Sequence, residues 1–202
     1  MPLRDHFSAP LGRFNSWQSF YSQWAPEIVR YLHGILPAKY HAGPRVNRGL
    51  RKDFAFEAVE FEVRIYRDEG THPLVSTIQL VAPANKDCSA QKQAFVDKCR
   101  ALLRKGVSVT IVDITTSKDG NLFRELCLAI RRTAMVKEIV GPYAVSLRTV
   151  RCDSRNQLQA WEEPLAVGER LPTLPLWLTD TMSLPFDIEV SYEETSRIFK
   201  IR

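Results

Sequence analysis

The side chains best suited to chemistry fall along the middle of the chain: Glu60 and Glu62, then Gln79, then Lys86, Lys92 and Lys98, then Asp113. Carboxylates, an amide and amines on neighbouring strands and the adjoining loop and helix can assemble a site. Strand backbone holds such side chains rigidly, while loops admit the ligand. The same residues also read as ordinary surface, with Glu60, Glu62 and Arg64 on the exposed face of a half-buried strand and the lysines at helix ends and on helix surfaces. Asp113, at a strand terminus, serves a site or caps the following turn through its backbone amides. Other chemistries lack their residues. There is no G-x-S-x-G elbow, no serine, cysteine and histidine spaced as a triad, and no phosphate loop around Gly34 or Gly43. Cys88, Cys99, Cys127 and Cys152 form no C-x-x-C pair and the four histidines are scattered, which argues against a zinc cluster and leaves Cys99 and Cys127 as small buried hydrophobes.

The elements that must position these groups follow from periodicity. Ser16 caps a helix whose large residues recur at Trp17, Phe20, Tyr21, Trp24, Ile28, Tyr31, Leu32 and Ile35, with Pro26 as a kink or second start and Pro37 as the end. This stripe fits an amphipathic helix packed on a sheet, and Trp17, Tyr21 and Trp24 also fit a wall on which a small molecule stacks. From Val59 the period falls to two, predicting a strand with Val59, Phe61, Val63 and Ile65 on one face, joined by a turn at Asp68 to Gly70 to a central strand from Leu74 to Val81. Ser89 caps a helix ended by Gly106; Val107 to Asp113 is a strand; Asn121 to Arg132 is a shorter helix; and Tyr143 to Val150 is a strand followed by a pairing segment near Leu158 to Trp161. Pro164, Pro172, Pro175 and Pro185 then mark a segment expected to wrap rather than pair, and Ser191 with Glu194 forms a capping box for a closing helix.

With 202 residues, 45% hydrophobic and 25% charged, the composition suits one α/β (α+β) domain with a mixed central sheet flanked by helices. Its parts are an N-terminal helical segment at 16–36, a core at 54–162, and a C-terminal wrap with its helix at 163–202. No apolar run is long enough to cross a bilayer, and the first ten residues carry charges and prolines where a signal peptide needs an apolar stretch, so a cytoplasmic protein with no membrane partner is expected. The net charge of +5 permits an anionic partner. The dense basic cluster, Arg45, Arg48, Arg51 and Lys52, falls in an expected loop, as solvated surface or as a nucleic-acid contact.

The run Leu80-Val81-Ala82-Pro83-Ala84-Asn85-Lys86, followed by a helix and by Val109-Thr110-Ile111-Val112-Asp113, resembles the bacterial domain of unknown function family 4058. The likeness extends to Met1 through Phe7, the Trp17 to Trp24 helix, Leu171 through Leu178, and Ser191-Tyr192-Glu193-Glu194-Thr195. By analogy it implies a restriction-endonuclease-like core of the PD-(D/E)xK kind, in which Mg²⁺ lies between carboxylates on adjacent strands with a lysine to orient the attacking water. Carried over residue by residue, Glu62 is the first carboxylate, position 79 the second, and Lys86 or Lys98 the lysine; Asp113, from its place at a strand end, is a candidate metal ligand beside Glu62 if the site is active. The resemblance implies Glu at 79 and Ser at 82, where this chain has Gln79 and Ala82. An amide in place of one of two anionic ligands weakens Mg²⁺ binding, so a degenerate, binding member is expected, with an active Mg²⁺-dependent nuclease or phosphodiesterase and a small-molecule binding module as the other readings.

Overall fold

The structure is a computed structural model that describes residues 2–8, 16–49, 58–117, 120–132, 141–152 and 155–201. Its elements run α1 (Trp17–His33), β1 (Tyr40–Gly49), β2 (Ala58–Arg67), β3 (Leu74–Leu80), a 3₁₀ turn (Pro83–Lys86), α2 (Ser89–Arg104), β4 (Ser108–Asp113), α3 (Leu122–Ala129), β5 (Tyr143–Cys152), β6 (Arg155–Pro164), β7 (Thr173–Trp177), β8 (Ser183–Asp187) and α4 (Ile188–Ile198). β1 to β6 form one sheet in sequence order, antiparallel throughout except for the parallel β3–β4 pair that α2 connects, and β7 and β8 form a separate two-stranded ribbon. The α+β class with a mixed sheet is therefore observed. Among the described residues, no helix is long and apolar enough to cross a membrane.

Strand alternation gives the sheet two cores. Phe61, Val63, Ile65, Ile78, Leu80, Val112 and Ile114 face α1, α4 and the ribbon, whereas Val81, Val109, Ile111, Tyr143, Val145 and Leu147 face α2 and α3. α1 forms where its spacing predicts, with Ser16 accepting from the Ser19 amide at 3.1 Å, and it runs through Pro26 without a break. Tyr21 and Trp24 are fully buried and Trp17 packs edge-on against Tyr21 and Phe61, so the aromatic stripe is core rather than a stacking wall. α2 ends at Gly106, whose φ of +75° is open to glycine at little strain, with the Val107 amide returning to the Leu102 carbonyl at 3.1 Å.

Three expectations are corrected. The segment holding Arg45 and Arg48 is not a loop but strand β1, while Arg51 and Lys52 lie outside the described residues. The proline-marked segment does pair: Pro175 and Pro185 sit opposite one another in the β7–β8 ribbon. Each proline carbonyl is used away from the ribbon, Pro175 accepting from Ser146 Oγ and Pro185 from Tyr31 Oη at 3.0 Å, so the missing N–H groups deprive this rung of no ladder bond. The ribbon is also clamped by Arg148, whose guanidinium lies 3.4 Å from the centre of the Trp177 ring beside Trp161. Finally, α4 begins three residues before the expected capping box. Asp187 is its N-cap, accepting from the Glu189 amide at 3.1 Å, and Ser191 lies inside the helix, buried and accepting from Trp24 Nε1 at 3.1 Å. Asp187→Ala should lower stability by about 1 kcal/mol in urea unfolding, with Asp187→Asn retaining most of it; equal loss in both variants would assign the effect to the Arg170 ion pair instead.

Candidate functional site

Glu62 and Gln79 are register partners on β2 and β3, so their side chains share the sheet face toward α2. Glu62 is 0% exposed and Gln79 2%, which overturns the reading of this strand face as solvated surface. A buried carboxylate needs its lone pairs filled, and here three groups fill them while a fourth adds a positive charge close by. Gln79 Nε2 donates to Glu62 Oε2 at 3.0 Å, Lys98 Nζ reaches the same oxygen from α2 at 2.8 Å, Arg64 Nε donates to Oε1, and Arg45 Nε stands 3.8 Å from Oε1. Lys98 also holds Glu60 at 3.0 Å, and Gln79 Nε2 bonds Thr77 Oγ1 at 2.8 Å. Burial by itself would raise the Glu62 pKa; Lys98, with Gln79 and Arg64, more than offsets it and keeps the carboxyl below its ordinary value of 4.5.

Lys86 and Asp113 form a second, separate pair at the C-terminal ends of β3 and β4. Lys86 Nζ lies 2.7 Å from Asp113 Oδ2, with side-chain exposures of 1% and 0%. Lys86 is therefore no surface cation. Its position is fixed by the 3₁₀ turn, where Pro83 starts the helical geometry and Asn85 Oδ1 accepts from the Ala82 amide at 2.9 Å. Asp113 caps the following turn, its Oδ1 accepting from the Thr115 amide at 3.0 Å, while its Oδ2 meets the lysine. Burial raises the Asp113 pKa above its ordinary 3.8 in spite of Lys86, and the same burial lifts the neighbouring Tyr143 phenol.

The expected site residues therefore divide. Glu62, Gln79 and Lys98 meet on one shelf; Lys86 and Asp113 meet elsewhere. Gln79 pairs with Ile111, two residues short of Asp113, and Glu62 lies one strand further over, which puts the Glu62 and Asp113 Cα atoms roughly 12 Å apart. Their carboxylates are engaged by different cations, Glu62 by Lys98 and Arg64 and Asp113 by Lys86. Among the described residues, no group of three or more His, Cys, Asp and Glu is placed to hold a metal. Mg²⁺ requires anionic oxygens in near-octahedral order. The shelf offers one carboxylate already engaged by its own cations and an amide that turns its NH₂ toward it, so these residues do not fit the ion. Arg45, Arg64 and Thr77 are the members that sequence patterning assigned to loop, surface or nothing. Cys99, behind Lys98, is buried with its thiol pushed up to about 12 and takes no part. Compared with protein-family models, curated proteins and solved structures, the chain matches none.

The two pairs differ in how they respond to change. Lys86→Met leaves Asp113 without its cation in a dry site and should destabilise by about 3–5 kcal/mol, whereas adding Asp113→Asn keeps the bond from the Thr115 amide, removes the stranded charge and should recover much of that loss in denaturant unfolding. Glu62 has a depressed pKa, so its stabilisation is present above pH 4.5 and is lost as pH falls through its lower folded value. Asp113, with a raised pKa, has the opposite slope, favouring the fold below pH 3.8 and losing that advantage as pH rises through its folded value. Lys98→Met should therefore flatten the acid-side decline of stability; an unchanged decline would show that Lys98 is not what holds the Glu62 charge.

Proposed function

We propose that the chain is a cytoplasmic binding protein built on a degenerate nuclease-like core of the kind suggested by its likeness to family 4058, in which the protein's own cations have taken over the place of a divalent ion. The observation that carries this reading is the saturation of Glu62 by Lys98, Arg64 and the Gln79 amide. Supporting it is the order of elements, an antiparallel β2–β3 pair followed by a crossover helix and a parallel β4, with positions 62 and 79 directly opposed. A carboxylate at 79 would stand about 3 Å from Glu62, and like charges at that spacing ionise together only with a cation between them.

Calorimetric titration of Mg²⁺ or Mn²⁺ should give negligible binding for the natural chain and saturable binding for Gln79→Glu. Tight binding by the natural chain would instead favour a Mg²⁺-dependent phosphodiesterase using Glu62, Asp113 and a lysine. Silence from both proteins would remove the premise that the shelf descends from a metal site.

A further inference from the structure

On the flank of α2 away from Lys98, Arg100 and Arg104 stand at i and i+4 at the end of the helix, and both line one groove. Arg132, just beyond α3, faces them. The groove measures about 160 Å³, with Leu103 and Leu158 among the apolar groups lining it and Asn156 at its side. The geometry points to a binding site for the phosphate group of a small phosphorylated ligand.

Among the described residues, the charges in this groove are only partly neutralised. Arg100 meets Asp97 at 2.7 Å, Arg132 Nη2 donates only to the neutral Asn156 carbonyl at 3.0 Å, and Arg104 has no ion pair or hydrogen bond among the described residues. Unlike Arg104 and Arg132, Arg30, Arg67, Arg170 and Arg197 each sit against a carboxylate. The backbone that delivers Arg132 is also unusual. α3 ends with Arg131 at φ +58°, a left-handed conformation that glycine takes more cheaply, and this lets the Arg132 amide return to the Cys127 carbonyl at 2.8 Å. Guanidinium groups are suited to phosphate because their forked donors match its oxygens. The cations converge on one small open hollow instead of lining a track, which suits a compact dianion better than a running polyanion. The hollow is too small to enclose a whole cofactor, so it would take the phosphate with one apolar or ring edge against Leu103 and Leu158. This site supplies a ligand for the binding role proposed above but does not depend on Glu62, so the metal titration and the following assay fail independently.

Pyrophosphate and phenyl phosphate, titrated calorimetrically into the whole chain, should bind saturably at one site, phenyl phosphate the tighter for its ring. Arg104→Glu and Arg132→Gln should each weaken binding about tenfold or more, the loss of one charge-assisted hydrogen bond, while Arg30→Glu, a matched charge change on α1, leaves it unchanged. Circular dichroism on each variant checks folding, and Arg132→Gln gives the reading if Arg104→Glu does not fold. Absence of saturable binding would overturn the assignment, as would equal weakening by Arg30→Glu, which would mark diffuse attraction to net charge. Tighter, Arg104-dependent binding of a labelled oligonucleotide than of phenyl phosphate would overturn it in favour of a nucleic-acid strand as the occupant.

Discussion

A single carboxylate with no access to water organises one side of this sheet. Glu62 is fully buried on β2, and a bare charge there would be several kilocalories out of balance. Its partners come from β1, β2, β3 and α2, so satisfying it also sets the strand register and the position of the crossover helix. The charge thus behaves as a specification of geometry. The opposite face, where α1, α4 and the ribbon pack against Phe61, Val63 and Ile65, is held largely by apolar burial, with the buried Glu189 of α4 accepting from the Leu171 amide at 2.9 Å.

The Lys86–Asp113 pair plays a corresponding part at the end of the parallel strands. Val81, whose carbonyl accepts from both Tyr21 and Thr115, and Asp113, whose carboxylate takes the Thr115 amide, tie the ends of β3 and β4 to α1 and to the segment after β4. In an open α/β sheet this end is where ligands usually gather. Here its polar groups are spent on one another, so the polar side chains at the strand ends act as structure.

Much of the frame was legible in the sequence because it follows local rules: period two from Val59, helical spacing from Trp17, a glycine stop at 106. β1 was hidden because Tyr40–Gly49 contains two glycines, a proline and two arginines without alternation, and pairs only because β2 supplies the complementary edge. The burial of Glu62 was hidden for a different reason. Glu-x-Glu-x-Arg is the same pattern whether its face meets water or a helix, and only the tertiary placement of Lys98 decides between them. Ser191 likewise satisfies the capping-box pattern locally, but Asp187 and the bond from Trp24 claim the helix start and the serine. Glu62 and Gln79 fall on neighbouring strands in the sequence and are register partners in the sheet, whereas Asp113 joins them only in a linear reading of strand ends, which carries no information about how far apart those ends lie.

The proline rung of the C-terminal ribbon has a consequence for association between molecules. Short two-stranded ribbons offer two free edges to any passing strand. At the Pro175–Pro185 position neither outer edge has an N–H to donate, and both outward carbonyls already have hydroxyl partners within the chain. An incoming strand would meet a gap in its ladder at the centre of either five-residue edge. The ribbon therefore resists edge-to-edge growth, and the prolines that disguise it as a wrap also guard it against aggregation.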